Sequence, residues 1–354
     1  MNIAYLPYEN NSNKYIEISE SIIKEFGHNL YDYANLSFKE LEKCDAVILN
    51  WYESLSGSRY PFLTEMRVVK RIVTLLRLRG KHVKIITTFH NRMPHDAKGL
   101  IGREARYLLK KVLYLSDSII ILSSGSVNYL KEYISDTDVK EKAFLIPHPN
   151  YIGVYGNVLQ NKMLIESPKM KILFMGQVRR YKNVELIIEI ARKLAQENIE
   201  FTIAGKTENE TYKQELTKKT ENLNNVKLDL RFIEDNEIPK LLSENHLLVL
   251  PYNIKSSMNS GTVIMAFSYM KTVICPNIST LQEYDPNLYY SYDYNDETEH
   301  SKVLQQEIMK AYADWSNDKS VFEKKGKRLY ELVKVNNSKE RITKCYSDLL
   351  QSIK

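Results

Sequence analysis

Lys171-Ile-Leu-Phe-Met-Gly176-Gln-Val-Arg179-Arg180-Tyr181-Lys182-Asn183-Val-Glu185 reads as a strand, a tight turn and a helix start in immediate succession. The apolar run stops at Gly176, where the missing Cβ lets the backbone turn sharply and come close to a ligand. Beyond Asn183, apolar residues return at helical spacing over 184–197. A helix start offers free N–H groups and a partial positive charge, and Arg180 and Lys182 add two cations. Those parts suit a diphosphate. Taken alone, the same letters also fit a helix-start loop with surface basic residues.

Downstream, Leu247-Leu-Val-Leu-Pro251-Tyr252 forms a strand ending in proline, and Asn259-Ser260-Gly261-Thr262 opens a second helix. Ser260 and Thr262 are good cap residues, and Gly261 leaves the amides uncovered. This gives a second anion-binding terminus in the same half of the chain. Two such termini are harder to assign to chance than one. Around them the spacing predicts strands at 171–175, 200–204, 226–230, 247–250 and 273–275, with helices at 184–197, 210–221, 237–243 and 261–269. The first half has the same rhythm: strands at 3–6, 46–50, 83–88, 118–122 and 143–146, helices at 14–26, 64–79, 103–115 and 124–133. Apolar strands alternating with amphipathic helices imply parallel, doubly wound sheets covered on both faces.

Glycine, asparagine and proline between 151 and 169 break the pattern and read as an interdomain linker. The expected organisation is a domain at 1–160, a second at 161–336, and a terminal helix over 337–354 that packs back towards the first. Two such sheets would face a central cleft from the carboxyl ends of their strands, where ligands bind.

At this point the sequence resembles a known family. Gly-x-x-x-x-Tyr-Lys-Asn at 176–183, paired with Pro251-Tyr252 and Ser260-Gly261-Thr262, is similar to the donor domain of GT-B glycosyltransferases of group 1, family 4-like. The likeness extends to bacterial capsule and exopolysaccharide enzymes, including β-mannosyltransferases. The first half agrees, with Asn50-Trp51-Tyr52-Glu53 after one strand, Thr88-Phe-His90-Asn91-Arg-Met-Pro94-His95-Asp96 after the next, and Ile146-Pro-His148-Pro-Asn150 near the linker. The resemblance implies transfer of a sugar from a nucleotide diphosphate donor, GDP or UDP, onto a saccharide or lipid-linked saccharide. It implies donor contacts from Gly176, Arg180, Lys182, Tyr252, Asn259, Ser260, Gly261 and Thr262. Glu9, Trp51, His90, Asn91 and His148 would face the sugar or acceptor.

The sequence also departs from that family. Its retaining members carry Glu-Gly-Phe-Gly before the second helix and another glutamate within it. Here those places read Asn259-Ser260-Gly261-Thr262 and Met265, and the usual Gly-Arg is Gly176-Gln177. Loss of both glutamates favours inversion. An inverting transfer needs a general base, for which Asp96 with His95 beside it is the first choice and Glu53 or Glu9 the alternative. A nucleotide-sugar epimerase and a non-catalytic partner subunit of the same fold are the rival assignments.

Composition excludes several other classes. With 43% hydrophobic and 27% charged residues the chain is not expected to be disordered, and without a run of about 18 apolar residues it is not expected to span a membrane. It lacks both GxGxxG after a strand and GxxxxGK[ST], so dinucleotide oxidoreductases and P-loop NTPases do not fit. Cys44, Cys275 and Cys345 are scattered without metal spacing, and Asp136-Thr-Asp138, a DxD form, follows a helix and reads as a solvated loop, so no metal or other cofactor is expected. The N-terminus lacks a signal-peptide pattern, and a cytoplasmic location is expected. Net charge is only +6, yet between Arg59 and Lys111 fourteen Lys/Arg face Glu65, Asp96 and Glu104. Two core-packed helices with solvated basic faces explain that, and so does a patch resting on the anionic inner face of the plasma membrane. Nucleic acid is not expected, because no aromatic residues of the base-stacking type interleave the charge.

Overall fold

The computed structural model describes residues 1–10, 13–55, 61–93, 99–159, 164 and 166–353. The chain divides into two compact units. Unit 1 comprises Met1–Pro149, Lys255–Asn259 and Asn337–Lys354, and unit 2 comprises Asn150–Ile254 and Ser260–Asn336.

Unit 1 runs β1 (Asn2–Leu6), α1 (Lys14–Glu25), β2 (Asn29–Asp32), α2 (Phe38–Leu41), β3 (Ala46–Asn50), α3 (Pro61–Gly80), β4 (Lys84–Phe89), α4 (Gly99–Leu115), β5 (Ser118–Ile121), α5 (Ser126–Leu130), α6 (Asp136–Lys142) and β6 (Ala143–Leu145). The strands form one parallel sheet in the order β2-β1-β3-β4-β5-β6. All five residues of β3 are buried, as expected for a central strand covered on both faces. Ile3, Ile48, Ile86 and Ile120 pack on one side with Ile16 and Ile23 of α1. Ala4, Val47, Leu49 and Ile85 pack on the other with Val68 and Leu75 of α3 and Leu108 and Val112 of α4.

Unit 2 runs β7 (Met170–Met175), α7 (Val184–Lys193), β8 (Ile199–Ala204), α8 (Glu210–Thr220), β9 (Val226–Asp229), α9 (Ile238–Ser243), β10 (Leu247–Val249), α10 (Gly261–Ser268), β11 (Thr272–Pro276), β12 (Tyr290–Tyr292), α11 (Glu297–Asn317) and α12 (Val321–Asn336). Its parallel sheet has the order β12-β11-β10-β7-β8-β9. Strand order therefore reverses between β7 and β10, and the loops leaving these strands part to opposite faces. That is where doubly wound sheets open a crevice. The last helix, α13 (Lys339–Ser352), belongs to unit 1, where Ile342, Tyr346 and Leu349 join the α1 side of the core.

The residues expected to link the domains do not all behave as a linker. Unit 2 begins at Asn150. Tyr151 is buried and its N–H donates to Ser268 Oγ at 2.9 Å, while the Tyr155 N–H donates to Tyr269 Oη at 3.0 Å. Gly153 and Gly156 make a tight turn, the Gly156 N–H donating to Gly153 O at 3.3 Å, and its tyrosines anchor it to α10. Strands β2 and β12 and helices α11 and α12 have no counterpart among the expected elements. Among the described residues no helix is long and apolar enough to cross a membrane.

Candidate active site

The crevice between β7 and β10 is built by backbone first. Gly176 leaves β7 at φ 140° and its N–H donates to Ala204 O at 3.1 Å. Gly205 leaves β8 at φ 139°, so close that a Cβ placed there would lie 1.7 Å from Gly176 O. Only two glycines let these turns pass. Arg180–Lys182 then makes a single 3-10 turn, ended by Asn183 in the left-handed region at φ 54°. The Asn183 Nδ2 donates to Pro251 O at 2.9 Å, which fixes the start of α7 against the end of β10. Lys182 thereby comes to lie over the Tyr252 ring, 4.3 Å from its centroid.

The N-terminus of α10 completes the wall. Ser260 caps it, accepting from the Val263 N–H at 3.2 Å, while its own N–H donates to Thr280 Oγ1 at 3.0 Å. Its hydroxyl also meets Tyr252 Oη at 2.9 Å. The result is a cavity of about 190 Å³ lined by Phe174, Met175, Gly176, Gln177, Tyr181, Lys182, Tyr252 and Thr262.

Lys182 sets the electrostatics of this cavity. No carboxylate among the described residues pairs with it; its Nζ lies over the Tyr252 and Tyr181 rings, with the Cys275 thiol close enough to act on its charge. Burial lowers its pKa to about 8. A desolvated amine without a counter-ion is costly, and aromatic faces compensate it only in part. An anion in the cavity would restore the balance.

Two expected donor contacts lie elsewhere. Arg180 does not line the cavity. Its guanidinium stands over the Tyr212 ring at 4.5 Å and pairs with Glu215 at 2.7 Å, Glu185 at 3.5 Å and Glu208 at 3.6 Å. Three carboxylates from three separate segments converge on its planar fork, and this decides its direction. Asn259 belongs to unit 1, where its Oδ1 accepts from Ser123 Oγ at 2.8 Å and its Nδ2 donates to His90 O at 3.3 Å. Gly176, Lys182, Tyr252 and Thr262 are brought together, with Ser260 and Gly261 at the adjoining helix start.

Unit 1 gathers a second group at the ends of β3 and β4 and beyond β6. Trp51, held at φ 50°, stacks on His90 with centroids 3.9 Å apart and planes at 15°. Tyr15 of α1 stands 5.2 Å from both His90 and His148. Asn50 donates to Leu6 O at 2.9 Å, so its Oδ1 faces His90 Nε2 at 2.8 Å and that nitrogen carries the proton. Burial lowers His90 to about 3 and His148 to about 4, so both rings are neutral. Glu53 is buried in the same loop, and desolvation raises its pKa to about 7; Arg71, which donates to Tyr52 O and Ser54 O, acts against the rise. Asn91 follows His90 directly, half-buried. Glu9 is exposed in the loop after β1, its carboxylate 3.8 Å from Lys24 and its N–H donating to Glu20 Oε1 at 2.9 Å. His95 and Asp96 lie outside the described residues. Asp136 and Asp138 form the first turn of α6, capped by Ser135, instead of a loop.

Sequence reading missed Tyr15, Tyr181 and Gly205. Gly205 had a visible signal, a glycine directly after a strand, whereas Tyr15 is one amphipathic-helix residue among many.

Residues 158–284 match the family model for glycosyl transferases group 1. Over 257 residues, 72% of this chain and 68% of the relative, the sequence is 23% identical to a GDP-mannose:glycolipid 4-beta-D-mannosyltransferase of Xanthomonas campestris pv. campestris. This chain is a glycosyltransferase. The fold agrees. Sucrose-phosphate synthase from Thermosynechococcus elongatus superposes with a TM-score of 0.73 at 14% identity, covering 100% of the glycosyltransferase and 99% of the synthase. Anabaena HepE, solved in complex with UDP, superposes with a TM-score of 0.67 at 13% identity, covering 99% and 100%. The glycosyltransferase thus has the GT-B fold, and the matched segment contains Gly176, Lys182, Tyr252 and Thr262.

Proposed function

We propose that this glycosyltransferase moves a hexose from a GDP- or UDP-sugar to a saccharide or lipid-linked saccharide in cell-surface polysaccharide synthesis, with inversion and without a metal. Lys182 carries the proposal: a desolvated, unpaired amine in a cavity closed by a glycine turn and a capped helix start is a pyrophosphate site in waiting. The likeness to a protein named for GDP-mannose and a glycolipid supports the substrate class. HepE, in complex with UDP, supports a nucleotide in this fold.

In the transfer, the acceptor hydroxyl attacks the anomeric carbon while the bond from that carbon to the phosphate oxygen breaks. The hydroxyl proton passes to a general base and the electron pair leaves with the diphosphate. Lys182 and the α10 amides take up the leaving charge. Asp96, with His95 beside it, is proposed as the base. Glu9, Trp51, His90, Asn91 and His148 hold the sugar or acceptor. Peripheral contact of the basic region with an anionic membrane belongs to the same proposal, since it would bring the enzyme to a lipid-linked acceptor.

Titration with GDP, UDP and their sugars tests the donor site. Lys182→Ala is expected to weaken nucleotide diphosphate binding by about 1.5–3 kcal/mol, the scale of a charged hydrogen bond. Unchanged affinity would remove the site. Asp96→Asn is expected to abolish transfer with donor binding intact, and a fully active variant would move the base to Glu53.

A further inference from the structure

We infer that the outer faces of α3 and α4 form a surface that inserts into an anionic bilayer, an apolar stripe on α3 entering the lipid while cations of both helices hold the headgroups. This deepens the membrane contact proposed above, from charge alone to insertion. Both helices bury their inner faces in one cluster, Val68, Leu75 and Leu78 from α3 with Ala105, Leu108 and Val112 from α4. Their outer faces therefore share one side of the unit 1 sheet.

On α3 that outer face carries Met66 (54% exposed), Val69 (60%), Val73 (43%) and Leu76 (51%). At 3.6 residues per turn these four fall within an arc of about 80°, opposite the buried stripe. On α4, Tyr107 and Tyr114 stand more than half exposed, two turns apart. Six of the ten large apolar side chains that the described residues expose thus lie on one helix pair. Single apolar residues on a surface need no explanation, but a stripe does.

Charge selects the occupant. Lys70 and Arg77 border the α3 stripe, and Arg103, Arg106 and Lys110 share the outer face of α4. No carboxylate among the described residues pairs with any of these five. Aliphatic residues flanked by cations, with tyrosines alongside, match an interfacial helix on an anionic membrane. A second copy docked symmetrically would set the same cations against each other.

Co-sedimentation of the full chain with vesicles decides the matter. Binding is expected to phosphatidylcholine vesicles containing phosphatidylglycerol and not to phosphatidylcholine alone. Val69→Gln with Leu76→Gln, which leaves charge unchanged, is expected to reduce partitioning by about tenfold or more. Lys70→Gln with Lys110→Gln is expected to reduce it as well and to flatten its salt dependence. Vesicle binding undiminished by Val69→Gln with Leu76→Gln would overturn insertion. So would no binding to either vesicle, or a dimer in sedimentation velocity that this variant dissolves. Nucleotide affinity measured on the same variants separates the two proposals, because loss of vesicle binding with intact GDP or UDP binding leaves the donor site standing.

Discussion

The proposed contact of Lys182 with a diphosphate would make nucleotide binding depend on pH in a specific way. Burial holds the free amine at about 8, and a bound diphosphate raises that value by favouring the charged form. Binding therefore takes up a proton above pH 8. Affinity for GDP or UDP should fall by about twofold from pH 7 to 8 and more steeply beyond it in calorimetric titrations; constant affinity to pH 9.5 would disprove the role of the amine. Glu53 has the opposite character. Its raised carboxyl pKa stabilises the fold fully below the unfolded value, and this contribution is lost as pH rises through about 7. Glu53→Gln should consequently gain about 1–3 kcal/mol relative to wild type between pH 5 and pH 8, read from denaturant midpoints. Lys182 was legible in the sequence because its turn, its glycine and its helix start are contiguous. Arg180 was not, since Glu185, Glu208 and Glu215 are scattered over thirty positions and only the fold collects them.

At the scale of elements, the close pass of the turns after β7 and β8 holds the cavity open. Gly205→Ala would drive a methyl into Gly176 O and force a strained backbone besides. The variant is expected to lose nucleotide binding and about 3 kcal/mol of stability, placing it among severe substitutions. A variant with native melting temperature and affinity would show that the two turns can part. Most elements were readable from apolar periodicity, including every strand that is covered on both faces. Strand β2, Asn-Leu-Tyr-Asp, escaped because an edge strand half open to water carries no continuous apolar run. Helices α11 and α12 escaped because polar and charged residues together make up half or more of each, and only one stripe, such as Leu304, Ile308, Ala311 and Trp315, is buried.

Taken whole, the two units should respond differently to acid. In unit 2, His246 accepts the Lys171 N–H at Nδ1 and His300 stacks on Tyr294 at 3.8 Å; burial lowers both to about 4. Between pH 6.5 and 4 the unfolded chain binds protons that these rings refuse, so stability falls with pH. In unit 1, His90 and His148 act the same way, but Glu20 and Glu53, both raised chiefly by burial, oppose them. Hydrogen exchange at pH 7 and pH 5, corrected for intrinsic rates, should show β10 and β11 losing more protection than β3 and β4. Equal loss in both would refute the difference. Finally, the five residues Lys255–Asn259 belong to unit 1 although unit 2 flanks them on both sides. In that unit Met258 is fully buried against Phe89 and Leu113. A gene fragment encoding 150–336 would thus carry a loop stripped of its packing partners, with a bare methionine just ahead of the Ser260 cap. No single scissile bond yields two intact halves, and a recombinant unit 2 would need that loop redesigned before it could be purified as a folded protein.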